Sequence, residues 1–368
     1  MKVVFTGGHP SPAFACIEYI REAYPEWEML FVGREVSQPG SGQPAWERQT
    51  ASEYGVPFIG IDTGKSSASG WEVFRHGTKI AQSVHKSLEL VRKEKPDVCL
   101  SFGSYVAVPI ALACKIAGIP IITHEQVLGA GRASRFIGKF AHIIAVSHEE
   151  SIKYFPAKKC VVTGLPLRPV LFQKHSEPEW LKNRPSDLPI VVVMGGSTGS
   201  IWMNELVGRL LDQLTEKAVV VHQTGLPSNH SRWLEKASEL KTSLPAKKAD
   251  NYYARATFSP PELSWLYQQA GIVVSRAGAN TVAELAAFSV PSIFIPLPTS
   301  AAGEQQQNAT HAAKTSALIR VLDQTNVTDD ECARVILGSL QLKRSPADFD
   351  LSLEPQKQLV ELIKRVVK

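Results

Sequence analysis

The 368-residue sequence is poor in cysteine, and its five cysteines (Cys16, Cys99, Cys114, Cys160 and Cys332) are odd in number, with no two at C-x-x-C spacing. That argues against a disulfide framework or a zinc ribbon and points to a reducing compartment. Long apolar runs are missing as well. The most apolar stretch, 106–122, is interrupted by Pro109, Lys115 and Pro120, too short and too broken to span a bilayer. Met1-Lys2 leads through Val3-Val4-Phe5 straight to glycines, so no signal peptide is expected. The expectation is a cytoplasmic protein whose membrane contact, if any, is peripheral. Charge of one sign is also scarce. A formal net charge of +5 suits an anionic ligand or surface but is too small to argue for nucleic acid. Neither G-x-G-x-x-G nor G-x-x-x-x-G-K-[ST] occurs, which sets aside the dinucleotide and P-loop fingerprints. The only D-x-D string, Asp348-Phe349-Asp350, lies in a polar tail, and His142 and His148 are six apart. No metal site is expected.

What is there is a rhythm of short, continuous Val- and Ile-rich runs between longer helical patterns. The runs in the first half are 3–6, 29–32, 98–102, 119–123, 143–146 and 160–163; in the second half they are 190–194, 219–223, 272–275, 292–295 and 318–321. Continuous apolar runs read as strands buried on both faces, hence parallel sheets built from βαβ units. At about 100–200 residues per domain the length suits two. The break falls at 166–189, where Pro166, Pro169, Pro178, Pro185 and Pro189 stand among polar residues and read as a linker. The expected division is 1–165, 166–345, and a tail 346–368 carrying an amphipathic helix with Leu359, Leu362, Ile363 and Val366 on one face, for which packing back on the first domain is one option.

Each half opens with a strand, a glycine-rich turn and a helix: Thr6-Gly7-Gly8-His9-Pro10 after the first strand, and Gly195-Gly196-Ser197-Thr198-Gly199-Ser200 after the strand at 190–194. Such turns bring backbone close to a ligand and offer a phosphate the N–H groups of a helix start; a tight turn with no ligand has the same pattern. Paired, they suggest twin Rossmann-like domains facing a shared cleft. A third stretch, Ser275-Arg276-Ala277-Gly278-Ala279-Asn280-Thr281-Val282-Ala283-Glu284, follows a strand and opens a helix. Thr281 and Glu284 share a helical face, so the carboxylate can take the two hydroxyls of a ribose; an ordinary first turn reads equally well. After Pro296-Leu297-Pro298 comes Gly303-Glu304-Gln305-Gln306-Gln307-Asn308, whose amides suit a neutral sugar.

With Phe102-Gly103-Ser104-Tyr105-Val106, His124-Glu125-Gln126 and Thr163-Gly164-Leu165-Pro166-Leu167-Arg168 set among these motifs in order, the chain resembles the MurG family from residue 3 to about residue 320. These are bacterial glycosyltransferases of the GT-B fold, two Rossmann-like domains about a cleft, which add N-acetylglucosamine to undecaprenyl-linked lipid I. The resemblance implies UDP-N-acetylglucosamine as donor, lipid I as acceptor, an anionic membrane surface as partner, and no cofactor or nucleic acid. It sets Thr6, Gly7 and Gly8 near the donor sugar and phosphates, and Arg168 and Ser197 on the diphosphate. Ala279, Asn280, Thr281, Val282, Ala283 and Glu284 form the nucleotide-binding stretch beside Arg276, with Glu284 on the ribose. Gln305 falls on the sugar hydroxyls, and the 258–261 loop with Pro260 meets uracil through its backbone. Two residues depart from the family: Val127 stands where Asn is usual, and Glu304 where Gln or His is frequent.

The implied reaction inverts the anomeric centre and needs one base. His9 is the first candidate, because an imidazole accepts a proton at neutral pH; Glu125 is the second. A substrate-positioning role suits His9 nearly as well. The residues alone leave open another GT-B lipid glycosyltransferase, a UDP-sugar epimerase, or a non-catalytic sugar-nucleotide-binding protein. Lys79, Lys86 and Lys93 recur every seven residues in an expected helix at 71–95 that begins with Trp71 and Phe74. They form either a face for anionic lipid or an ordinary solvated face.

Overall fold

The structure is a computed structural model describing residues 1–8, 10–36, 45–61, 77–196, 199–226, 232–300, 303–343 and 354–367. The chain divides into two compact units, Met1–Pro169 with Ser352–Lys368, and Val170–Leu351. The division thus falls at 169/170, against the 165/166 expected from the proline-rich break.

The first unit runs β1 (Lys2–Thr6), α1 (Pro10–Ala23), β2 (Glu28–Gly33), α2 (Trp46–Glu53), β3 (Phe58–Gly60), α3 (Gly77–Glu94), β4 (Val98–Ser101), α4 (Ser104–Ile116), β5 (Ile121–Glu125), α5 (Arg132–Gly138), β6 (Ile143–Val146) and β7 (Cys160–Val162). Its seven strands lie in the order β3-β2-β1-β4-β5-β6-β7, with every pair parallel. The second unit runs β8 (Ile190–Met194), α6 (Ile201–Thr215), β9 (Val219–Gln223), α7 (Trp233–Ser243), α8 (Ala246–Ala249), β10 (Tyr252–Arg255), α9 (Pro260–Gln269), β11 (Ala270–Ser275), α10 (Ala279–Ala287), β12 (Ser292–Phe294), α11 (Glu304–Thr315), β13 (Ile319–Val321) and α12 (Asp329–Ser339). Its parallel sheet has the order β10-β9-β8-β11-β12-β13.

The reason for these sheets lies in their central strands. Val3 and Phe5 enter one apolar cluster and Val4 the opposite one; Val192 and Met194 face one side of the second sheet, Val191 and Val193 the other. A strand apolar on both sides is stable only with helices on both faces. The two strands that the apolar runs miss, β3 and β10, are both sheet edges. Phe58-Ile59-Gly60 is short and only partly buried, and Tyr252-Tyr253-Ala254-Arg255 grows more exposed toward its end. An edge needs no unbroken apolar run, so neither strand announces itself in the sequence.

Two further segments differ from a solvated linker and a loose tail. In the segment from Val170 to Pro189, Leu171 and Leu181 are fully buried in the second unit's core, Ser264 Oγ donates to the Leu171 carbonyl at 2.6 Å, and the Trp180 indole N–H donates to Glu262 at 2.6 Å. It is a strap bound to α9, and its prolines shape it without freeing it. The tail forms α13 (Glu354–Val367), which packs beside α1 and buries Leu359, Val360 and Ile363 in the cluster around Phe14 and Ile17. Among the described residues no helix is long and apolar enough to cross a membrane.

Because α13 closes one face of the first sheet, Leu359→Ala is expected to destabilise the first unit by about 2–5 kcal/mol. Urea denaturation monitored in the isotopically labelled chain would show this as earlier loss of β1 amide protection.

Candidate functional site

In each sheet the strand order reverses at the first strand, between β1 and β4 and again between β8 and β11. Ligands of open α/β sheets bind at such a point, outside the carboxyl ends of the strands. The glycine turns that follow β1, β4, β8 and β11 sit there.

In the first unit, Thr6-Gly7-Gly8 leaves β1 and Phe102-Gly103-Ser104 leaves β4. The two turns lock together: Phe102 N–H donates to the Thr6 carbonyl at 2.7 Å and Gly8 N–H to the Gly103 carbonyl at 3.3 Å. Gly7 has φ +149°, and a Cβ there would lie 2.9 Å from the Phe102 backbone, so no side chain fits. Thr6 is fully buried, and its Oγ1 has no hydrogen-bond partner among the described residues. His9 lies outside the described residues.

Glu125 ends β5, buried, and both its oxygens hold the next loop: Oε1 accepts from Val127 N–H at 3.1 Å and Oε2 from Gly131 N–H at 2.9 Å. The carboxylate thereby braces the loop through one lone pair on each oxygen. Val127 is itself buried, with its carbonyl taking the Ser151 hydroxyl at 3.0 Å; its apolar side chain offers no sugar hydroxyl a hydrogen bond. His124 Nε2 lies 3.1 Å from the Gly164 carbonyl. A carbonyl can only accept, so that nitrogen carries the proton. Arg168 is half-buried and acts on the Tyr54 hydroxyl, where burial and the Glu18 carboxylate push the phenol pKa up and Arg168 pulls against them.

In the second unit the turn after β8 is built on glycines at φ +87° (Gly196) and +75° (Gly199), and a Cβ on Gly199 would lie 2.4 Å from the Thr224 carbonyl. Ser200 caps α6 by accepting from Met203 N–H at 3.4 Å. Ser197 and Thr198 lie outside the described residues. Arg276, expected as a ligand contact, is buried and used as a tie: Nη2 donates to Ser200 Oγ at 2.9 Å and Nη1 to the Ile295 carbonyl at 2.9 Å. Burial lowers its pKa. These bonds go to neutral oxygens, so its charge adds to the positive start of the 15-residue α6, where an anion is favoured.

The helix α10 begins behind Gly278 with Ala279, Asn280, Thr281, Val282 and Ala283 all half-buried, so its first turn is partly open. Asn280 Oδ1 has no hydrogen-bond partner among the described residues. One turn on, Glu284 is 9% exposed, and its Oε2 accepts from the Tyr267 hydroxyl at 2.9 Å. Gln305 Oε1 accepts from Leu297 N–H at 3.0 Å, which sets the orientation of an amide whose NH₂ can donate to a ligand. Pro260 opens α9, and the preceding Ser259 N–H is held by Glu262 at 2.7 Å. With proline lacking an N–H, the Pro260 backbone can offer only its carbonyl.

Two supports escaped the sequence reading. One is Tyr267. The other is a buried chain in which Tyr252 donates to His222 Nδ1 at 2.9 Å, His222 Nε2 donates to Asn204 Oδ1 at 2.9 Å, and Asn204 Nδ2 donates to the Thr224 carbonyl at 2.9 Å. That carbonyl is the one pressed against Gly199. No local pattern marks these residues, because each partner lies 17 to 30 positions away.

Residues 3–146 match the glycosyltransferase family 28 N-terminal domain and residues 190–363 its C-terminal domain. A relative from Porphyromonas gingivalis, named UDP-N-acetylglucosamine--N-acetylmuramyl-(pentapeptide) pyrophosphoryl-undecaprenol N-acetylglucosamine transferase, is 30% identical over 94% of this chain and 86% of its own length. A relative of the same name from Treponema denticola is 34% identical over 83% of this chain and 78% of its own. Among solved structures, Acinetobacter baumannii MurG superposes with a TM-score of 0.70 at 22% identity over 99% of both chains. UDP-GlcNAc 2-epimerase from Neisseria meningitidis, bound to UDP-GlcNAc, reaches 0.66 at 13% identity, covering 99% of this chain and 100% of its own.

Burial pushes the His222 pKa down from 6.5 to about 3. Between those values the unfolded chain binds a proton that the folded chain does not. The stability held by neutral His222 is therefore complete above pH 6.5 and is lost as pH falls toward 3. The second unit is expected to lose up to about 1.4 kcal/mol per pH unit in that window, measured as the urea midpoint against pH, with a flatter profile for His222→Gln.

Proposed function

The chain belongs to glycosyltransferase family 28 and, within it, to the MurG family, and on that premise we propose that it moves N-acetylglucosamine from UDP-N-acetylglucosamine to the C4 hydroxyl of N-acetylmuramic acid in undecaprenyl-linked lipid I, forming lipid II for peptidoglycan. The observation that carries this reading is 30% identity across 94% of the chain with a relative named for that transfer. Glycine turns at a strand-order reversal alone would also suit an epimerase, whose fold is similar.

In the proposed step the acceptor oxygen attacks the anomeric carbon as the bond to the diphosphate breaks, and the acceptor proton passes to one base. His9 is that base. Glu125 acts instead by holding the loop from Val127 to Gly131. The diphosphate leaves against the start of α6, with Ser197 in its turn and the Arg276 charge behind Ser200; a preorganised positive field is worth most where charge develops. Arg168 is the further cation the family resemblance assigns to the diphosphate. The open first turn of α10 takes the nucleotide, Glu284 the ribose hydroxyls, Gln305 a sugar hydroxyl through its NH₂, and the Pro260 carbonyl the uracil. Thr6, Gly7 and Gly8 let backbone approach the reacting sugar.

The enzyme works at the inner face of the cell membrane as a peripheral protein, docking through α3, where Lys86, Arg92 and Lys93 are exposed while Ser83, Ser87 and Val91 are buried. The Lys79 side chain, Trp71 and Phe74 lie outside the described residues.

Incubation of the purified chain with UDP-N-acetylglucosamine and lipid I is expected to yield lipid II. Conversion of the sugar nucleotide without acceptor would identify an epimerase, and binding by calorimetry without transfer a non-catalytic protein. His9→Ala at saturating substrates is expected to lose about 10²–10⁴-fold in turnover, the usual worth of a general base; a loss below about tenfold removes that role. Lys79→Glu/Lys86→Glu/Lys93→Glu is expected to abolish co-sedimentation with phosphatidylglycerol vesicles, and unchanged binding would remove α3 as the docking face.

A further inference from the structure

We infer that Tyr267 is a positioning residue for ribose recognition, its hydroxyl orienting the Glu284 carboxylate so that the site discriminates a ribose donor from its 2′-deoxy counterpart; this rests on the reading of Glu284 as the ribose contact. Tyr267 lies in α9 and is 1% exposed. Its ring is held by Phe288, with centroids 5.6 Å apart and planes tilted 55°, and Phe288 in turn stacks on Phe172 at 5.7 Å. The hydroxyl is therefore preset by apolar packing that no ligand touches. It donates to Glu284 Oε2 at 2.9 Å.

A glutamate in the second turn of a helix has several rotamers, and each would aim its oxygens differently. A charge-assisted hydrogen bond from a fixed phenol selects one of them. Two hydroxyls on one sugar ring need a carboxylate in a definite plane, because each must point a proton at a lone pair. Fixing that plane in advance removes an ordering cost from donor binding. The first turn of α10 also holds Asn280 and Thr281, but Glu284 presents two acceptor oxygens on one planar group, so discrimination at the 2′-hydroxyl depends on how that carboxylate is aimed.

The test compares wild type, Tyr267→Phe and Glu284→Ala with UDP-N-acetylglucosamine and its 2′-deoxyuridine counterpart, using lipid I as acceptor and measuring kcat, KM and thermal midpoint. Tyr267→Phe keeps the ring and its packing. It is expected to raise the ribose-donor KM about three- to tenfold with kcat little changed, and to shrink the ribose-to-deoxyribose ratio of kcat/KM by a similar factor, the worth of one hydrogen bond. A lowered thermal midpoint with that ratio unchanged would overturn the inference, leaving the hydrogen bond a purely structural one. If Glu284→Ala itself leaves the ratio unchanged, the ribose reading fails and the role of Tyr267 fails with it. If Glu284→Ala abolishes the ratio while Tyr267→Phe preserves it, only the role of Tyr267 falls.

Discussion

At the carboxyl end of the first strand of each sheet the backbone turns back so tightly that a β-carbon has no room. A side chain at Gly7 would strike the Phe102 backbone, one at Gly195 the Ser200 amide, and one at Gly199 the Thr224 carbonyl, at 2.9, 2.5 and 2.4 Å. That steric exclusion sets the rest of the arrangement. It lets a helix start directly beneath each turn, and it brings adjacent turns into hydrogen-bond reach at the point where the strand order reverses. The outcome is closely approached backbone at the head of a helix, the setting in which a diphosphate or a sugar can meet backbone N–H groups.

A backbone setting of this kind is weak unless it is held. The buried polar residues near the turns do the holding. Arg276 joins the turns after β8, β11 and β12 through Ser200, Ile295 and Pro296. His222, neutral because burial disfavours its charge, passes a hydrogen-bond chain from Tyr252 to the Thr224 carbonyl. Glu125 gathers the loop after β5. Each buries polar atoms engaged with neutral partners or backbone, so desolvation is offset locally and the geometry is rigid. The strap from Val170 to Pro189 extends the same logic outward: Trp180 fixes Glu262, which fixes the Ser259 amide at the head of α9.

Some of this was legible in the residues and some was not, for definite reasons. β1 and β8 were legible because a strand buried on both faces must be apolar throughout. β3 and β10 were not, because an edge strand obeys no such demand. The segment with five prolines between 166 and 189 read as a linker because proline marks irregular backbone, and irregular backbone can still bury Leu171 and Leu181. Helical periodicity puts Glu284 on the face of Thr281, and the family resemblance makes that face a proposed nucleotide contact. The partner of Glu284, Tyr267, belongs to a different helix and has no periodic relation to it. Glu125 stood as the second candidate base because a carboxylate can take a proton; the backbone amides that reach its two oxygens carry no side-chain signature.

Sequence by itself therefore determined the fold class and the positions of the glycine turns, through composition and local period, and the family with its proposed substrates, through a resemblance carried by the order of the motifs along the chain. Only the tertiary structure decided which polar groups are already engaged by the protein: Arg276 and Glu125 as ties, Gln305 oriented by the Leu297 N–H, Glu284 aimed by Tyr267. The physical reason is that a hydrogen bond between residues far apart in the chain is set by how helices and strands pack, and packing distance has no image in local sequence pattern.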